Sequence, residues 1–95
     1  MVCVYRKKHY AIYSNQEGFI IHNTNKEFSI GHTHINNYNT AKYLINLAYY
    51  KRLPNRKSDY FIESLIRITD DNAYKRLLNN NLKTRKAPKS HRTNF

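Results

Sequence analysis

The spacing of apolar residues changes once along this chain, near Asn39, and that change restricts the fold more than any single motif does. Before it, Val2 and Val4, Tyr10 and Ile12, Phe19 and Ile21, and Phe28 and Ile30 recur at a period of two. β-Branched and aromatic residues at that period predict strands with one buried face. Asn15-Gln16-Glu17-Gly18 and Asn23-Thr24-Asn25-Lys26 separate the runs as polar turns, and Gly18 suits the positive φ of a bulged hairpin. The expectation is an N-terminal three-stranded antiparallel meander over about residues 2–14, 18–23 and 27–31.

After Asn39 the period is helical. Ala41, Leu44, Ile45, Leu47 and Ala48 form one apolar face of a helix from about Thr40 to Arg52, with Asn39 or Thr40 as N-cap. Pro54 stops it, and Lys51 and Arg52 sit at its negative end. Ser58 or Asp59 opens a second helix with Phe61, Ile62, Leu65, Ile66 and Ile68 inward and Glu63 and Arg67 paired outward. Thr69-Asp70-Asp71 places two carboxylates at the start of a third, whose stripe is Ala73, Tyr74, Leu77, Leu78 and Leu82. The apolar pattern ends there. The fold class is therefore α+β: one domain over residues 1–82, then a basic, acid-free and disordered tail over 83–95.

Ninety-five residues hold one modest core, and nine Tyr with four Phe make it aromatic. Tyrosine carries a hydroxyl that needs a partner, so several of the nine belong at the core margin or the surface. Cys3 is the only cysteine, which excludes a disulfide framework and a Cys-rich zinc site and suits a reducing cytoplasm. The N-terminal charges follow the apolar residues, the reverse of a secretory signal. The stretch Tyr43 to Tyr50 is too short to span a bilayer. No membrane partner, cofactor or metal is expected.

Charge decides the functional class. Seventeen Lys and Arg against six Asp and Glu leave +11 at pH 7. Self-repulsion on that scale destabilises a compact chain and calls for a neutralising partner. The cations fall in three blocks: Arg6, Lys7 and Lys8; Lys51, Arg52, Arg56 and Lys57; and Lys83, Arg85, Lys86, Lys89 and Arg92. Surfaces of one sign are the footprint of nucleic-acid binding. On the first predicted helix, Asn39, Lys42, Tyr43, Asn46 and Tyr50 share a face, where Tyr43 and Tyr50 can stack on bases beside Lys42.

The leading expectation is a non-enzymatic module that docks on RNA, on DNA or on a host ribonucleoprotein. Two alternatives stand beside it. His32-Thr33-His34 puts two imidazoles on one side of an extended segment, with His22 able to approach and Lys8 as a cation. That set suits a toxin-like, metal-independent ribonuclease. The structural counter-reading is that both histidines bond backbone where sheet passes into helix. The second alternative is an inhibitor whose basic surface meets an acidic patch on a host enzyme. Asn, Lys, Ile and Tyr are abundant while Gly, Pro and Trp are scarce, the bias of AT-rich codons. In size, charge and bias the chain resembles phage or mobile-element accessory proteins, anti-CRISPR inhibitors among them.

Overall fold

The computed structural model describes residues 1–55 and 59–86, with the side chains of Arg85 and Lys86 outside that description. Four strands form one antiparallel sheet in the order β1-β2-β3-β4: Val2–Lys7, Tyr10–Asn15, Gly18–Asn23 and His32–Ile35. Three helices follow, α1 (Tyr38–Tyr50), α2 (Asp59–Ile68) and α3 (Asn72–Lys86). None of the described helices is long and apolar enough to cross a membrane.

The sheet has four strands rather than three, for two local reasons. First, residues 2–14 are a hairpin rather than a single strand. Lys7 pairs with Tyr10, and Lys8 turns the chain with φ 57°. Lysine carries no sequence signal for that left-handed conformation, which glycine or asparagine usually supplies. Second, residues 27–31 are not a strand. The Ile30 and Gly31 N–H groups both turn back to the Glu27 carbonyl, at 3.1 and 2.8 Å. Phe28 and Ile30 consequently stay exposed. Gly31 is needed here, because a Cβ would stand 2.5 Å from Cβ of Lys26. The fourth strand begins only afterwards, pairing His32 with His22 and His34 with Ile20.

Side-chain alternation gives the sheet two faces. Tyr5, Tyr10, Ile12, Phe19, Ile21 and Ile35 turn toward α1 and α2 and join Leu44, Ile45, Ile62, Leu65, Ile68 and Leu78 in one core. Arg6, Tyr13, His22, His32 and His34 occupy the opposite face. Helix α1 starts two residues before the expected point, because Asn37 is the N-cap and its Oδ1 accepts from the Thr40 N–H at 3.0 Å. It ends at Tyr50, where Lys51 takes the left-handed C-terminal position with φ 58°. The Asp71 Oδ1 caps α3 by accepting from the Tyr74 N–H at 2.8 Å. Helix α3 runs four residues past Leu82, so Lys83 is helical and exposed; residues 87–95 lie outside the described residues.

Buried polar groups tie sheet to helices. The Asn23 Nδ2 donates to the Ile68 carbonyl at 2.8 Å, and its Oδ1 accepts from the Asn25 N–H at 2.8 Å. The Lys26 Nζ donates to the Arg67 and Thr69 carbonyls at 3.0 and 3.1 Å. Burial there, with Lys75 nearby, lowers the Lys26 pKa. The Thr33 hydroxyl donates to Ser64 Oγ at 3.0 Å, joining β4 to α2. Replacing Asn23 by Ala strands a buried carbonyl and an N–H, and the expected loss is about 2–3 kcal/mol. Urea unfolding of Asn23→Ala measures it; a loss under about 0.5 kcal/mol would show that this amide carries none of the fold.

Candidate nucleic-acid interface

The β1–β2 hairpin brings the first basic block against α1. Tyr5 and Lys7 are two apart on β1, so both face the helix. The Lys7 Nζ donates to Asn46 Oδ1 at 2.9 Å and lies 4.8 and 4.7 Å from the ring centres of Tyr49 and Tyr50. The Arg52 guanidinium carbon is 6.0 Å from the Tyr50 ring. One turn before Asn46, Lys42 Nζ stands 5.2 Å from the Tyr5 ring and 5.5 Å from that of Tyr38. Tyr38 then meets Phe19, with ring centres 5.7 Å apart.

These contacts form a continuous ridge along α1. Its thirteen residues span roughly 20 Å at 1.5 Å per residue. A cation held over a ring face is oriented before any partner arrives, at about 0.5–1 kcal/mol per exposed pair. Lys7, Lys42 and Arg52 are thus presented by aromatic and amide partners. Lys51, by contrast, lies 3.6 Å from the Asp71 carboxylate. Asp71 itself titrates below the ordinary carboxylate range, held there by the Tyr74 N–H first and by Lys51 in addition.

The expected contact residues are distributed unevenly. Lys7, Lys42, Tyr50 and Arg52 come together on the ridge. Lys8 sits in the turn beside His9, and a cleft lined by His9, Tyr49 and Lys51 connects that turn to the end of α1. Arg6 is exposed on the opposite sheet face, and Lys83 is exposed on α3. Tyr43 is half-buried; its ring packs edge-on against Phe61 at 5.9 Å, and its hydroxyl accepts from the Asn55 N–H at 3.3 Å. Its remaining surface borders a cleft shared with Asn46, Tyr50 and Arg52. Arg56, Lys57, Lys89 and Arg92 lie outside the described residues, as do the side chains of Arg85 and Lys86. Tyr5, Tyr38 and Tyr49 were not expected in the site. The available signal was local: Tyr5 is two residues before Lys7, and Tyr38 is one turn before Lys42.

The histidines fall elsewhere. The His32 ring stacks on Phe28 at 4.4 Å, and its Nδ1 donates to the Phe28 carbonyl at 2.5 Å. The His34 ring stands edge-on to it at 5.0 Å, while the His34 carbonyl accepts from the Tyr60 hydroxyl. The His22 Nε2 donates to the Lys26 carbonyl at 2.9 Å. Lys8 turns between β1 and β2, at least two strands from β4 and so roughly 10 Å away at 4.8 Å per strand. The two imidazoles thus meet each other, while Lys8 starts two strands away. Among the described residues no group of three His, Cys, Asp or Glu is placed to hold a metal ion. No family model, curated protein or solved structure matches this chain.

Tyr74 supports the basic end of the ridge from below. Its buried hydroxyl donates to the Arg52 carbonyl at 2.7 Å, with the Leu47 carbonyl 3.3 Å away. Burial raises the Tyr74 pKa, and burial first, with the charge of Asp70 second, pushes Tyr10 up to about 12. A raised phenol favours the neutral form in the folded chain. Its contribution is whole below the unfolded value near 10 and is lost as pH climbs through the folded value. Tyr74→Phe is expected to lower stability at pH 7 by about 1–2 kcal/mol and to lessen the loss above pH 10. Urea midpoints at pH 7 and between pH 10 and 12, compared with the parent, check both parts.

Proposed function

We propose that this chain is a non-enzymatic nucleic-acid-binding module that docks on RNA, on DNA or on a nucleoprotein complex through the α1–β1 ridge. The observation that carries the reading is the alternation of Lys7, Lys42 and Arg52 with tyrosine rings along one helix. Phosphates take the cations and fix the register of a strand, while exposed aromatic rings such as Tyr50 accept base faces. Lys83, Arg85 and Lys86 at the end of α3, with Lys89 and Arg92 after it in the sequence, add attraction of the same sign.

Backbone conformation supports the same assignment. Among the described residues, the non-glycine positions with positive φ are Lys8 and Lys51, at 57° and 58°. Glycine takes that conformation with about 1–2 kcal/mol less strain, set against its own entropy cost of about 0.5–1 kcal/mol. Both positions carry an ammonium group at the basic corner instead. Lys51 uses that conformation as the C-terminal cap of α1 and faces Asp71, which leaves Lys8 as the strained cation that supports this reading.

Two measurements test the reading. Neutralising about four to six phosphates gives log K against log salt a slope of about −3 to −5. A flat response from about 50 to 300 mM would overturn the reading, because salt screens any contact made through these cations. Lys8→Gly is expected to hold or raise stability by up to about 1 kcal/mol while the salt slope becomes shallower by about one unit. An unchanged slope would remove Lys8 from the interface.

A further inference from the structure

At the N-terminal end of α1 the ridge runs into a cleft of about 390 Å³ that the basic blocks do not account for. It lies where the β2–β3 turn meets the end of β4. Phe19, already in contact with Tyr38, forms one wall, and Tyr60 of α2 forms another. Asn15, Glu17, His34 and Asn36 supply polar groups. Gly18 allows the turn to approach this closely: its φ is 136°, and a Cβ would stand 3.1 Å from the Ile35 carbonyl oxygen. The Asn15 Oδ1 accepts from the Glu17 N–H at 2.8 Å, which fixes the backbone that carries the acid. The Tyr60 hydroxyl donates to the His34 carbonyl and so sets the angle of its ring.

Glu17 is the informative residue. It is one of six acids in a chain of net charge +11, and it stands at the end of a cationic track. Beside a phosphate it would oppose binding. A carboxylate has no proton of its own to give and assists binding there by accepting hydrogen bonds, from a ribose hydroxyl or, with sequence information, from donors on a base. Bases of a single strand expose their Watson–Crick edges, whereas those of a duplex do not. Cytosine and adenine set one amino donor beside a ring-nitrogen acceptor, which a carboxylate repels. Uracil sets one N–H between two carbonyls. Guanine alone offers two adjacent donors, N1–H and the N2 amino group, matched to the two carboxylate oxygens. The amide N–H groups of Asn15 and Asn36 can serve its O6, and the Phe19 and Tyr60 rings can cover its faces.

We infer that this cleft holds one unstacked guanine of a single-stranded nucleic acid, read by Glu17, while the ridge carries the neighbouring phosphates. The inference rests on the nucleic-acid reading and adds to it a strand state and a base preference. About six stacked nucleotides cover the 20 Å of α1 at 3.4 Å each, so a short oligomer reaches from the basic corner to the cleft.

Binding of octamers of uridine, with a single guanosine, adenosine or cytidine stepped through each position, separates the two claims. The parent protein is expected to bind the plain uridine octamer through the ridge. One register of guanosine should strengthen binding about tenfold over uridine, the discrimination typical of a good bidentate base contact. Glu17 is exposed in a turn, so Glu17→Gln leaves the fold in place. That variant should lose the guanosine preference and keep or raise affinity for the plain octamer. Deoxy octamers run in parallel identify which sugar the strand carries. Binding without a guanosine preference, a preference that Glu17→Gln retains, or a preference for adenosine or cytidine overturns the cleft and leaves the ridge standing. Binding of free guanosine monophosphate as tight as the best octamer overturns it too, because the cleft would then owe nothing to the strand. No binding to any octamer overturns the inference, and no binding to RNA or DNA duplexes either overturns the ridge with it.

Discussion

The carbonyl end of α2 is where the two halves of this fold are joined. The last carbonyls of a helix have no partner within it, and leaving them buried and unpaired costs about 1–3 kcal/mol each. Here the partners come from the sheet: Asn23 reaches the Ile68 carbonyl, and Lys26 reaches those of Arg67 and Thr69. With α2 fixed to β3, the position of Asp71 is set, and Asp71 caps α3. Helix α3 in turn delivers Tyr74 beneath the C-terminal end of α1, where its hydroxyl meets the Arg52 carbonyl. The basic end of the ridge thus depends, through three consecutive links, on an asparagine at the end of β3 and a lysine in the connection to β4.

That dependence explains which parts of the fold were legible in the sequence. Helices α1 and α2 were, because their burial is set by spacing within each segment: Leu44, Ile45, Ala48, Ile62, Leu65 and Ile68 are buried at the positions their periodicity assigns, whereas on α3 Tyr74 and Leu78 are buried but Ala73 and Leu77 of the expected stripe are exposed. Asp71 was legible as a start signal for the same reason. The strand count was not. It turns on Lys8 adopting a conformation that lysine does not advertise, and on backbone bonds to Glu27 that override the alternation of Phe28 and Ile30. Asn23 also read as a turn residue, although its side chain is buried in a bond 45 residues away in sequence. Long-range polar partners leave no periodic trace.

The site shows the same division. Charge blocks are additive along a sequence, so the basic character of the corner near Lys7, Lys51 and Arg52 was available from composition. The face of α1 was legible too, since Lys42, Asn46 and Tyr50 of the expected face lie in the ridge; that Tyr5 and Lys7 from β1 would complete it was not. A helix alone cannot reveal that, because the strand beside it decides which of its flanks is left for a partner. Glu17 read as an ordinary turn acid until the end of β4 and Tyr60 were placed around it.

The acids and cations divide the labour accordingly. Asp71 caps α3 and faces Lys51, and Asp70 accepts from the Asn25 amide at 3.3 Å, so both hold the fold together at the junction of sheet and helices. Lys7, Lys42 and Arg52 lean on aromatic rings instead, which orient a cation without neutralising it. A surface built in this way keeps its mutual repulsion in the free protein. Whatever anion relieves that repulsion binds the folded form in preference to the unfolded chain, where the same charges are spread apart, and therefore stabilises it by mass action. The acids and the cations thus differ in their partners: carboxylates pair within the chain at the junction of sheet and helices, whereas the ridge cations rest on rings that leave their charge in place.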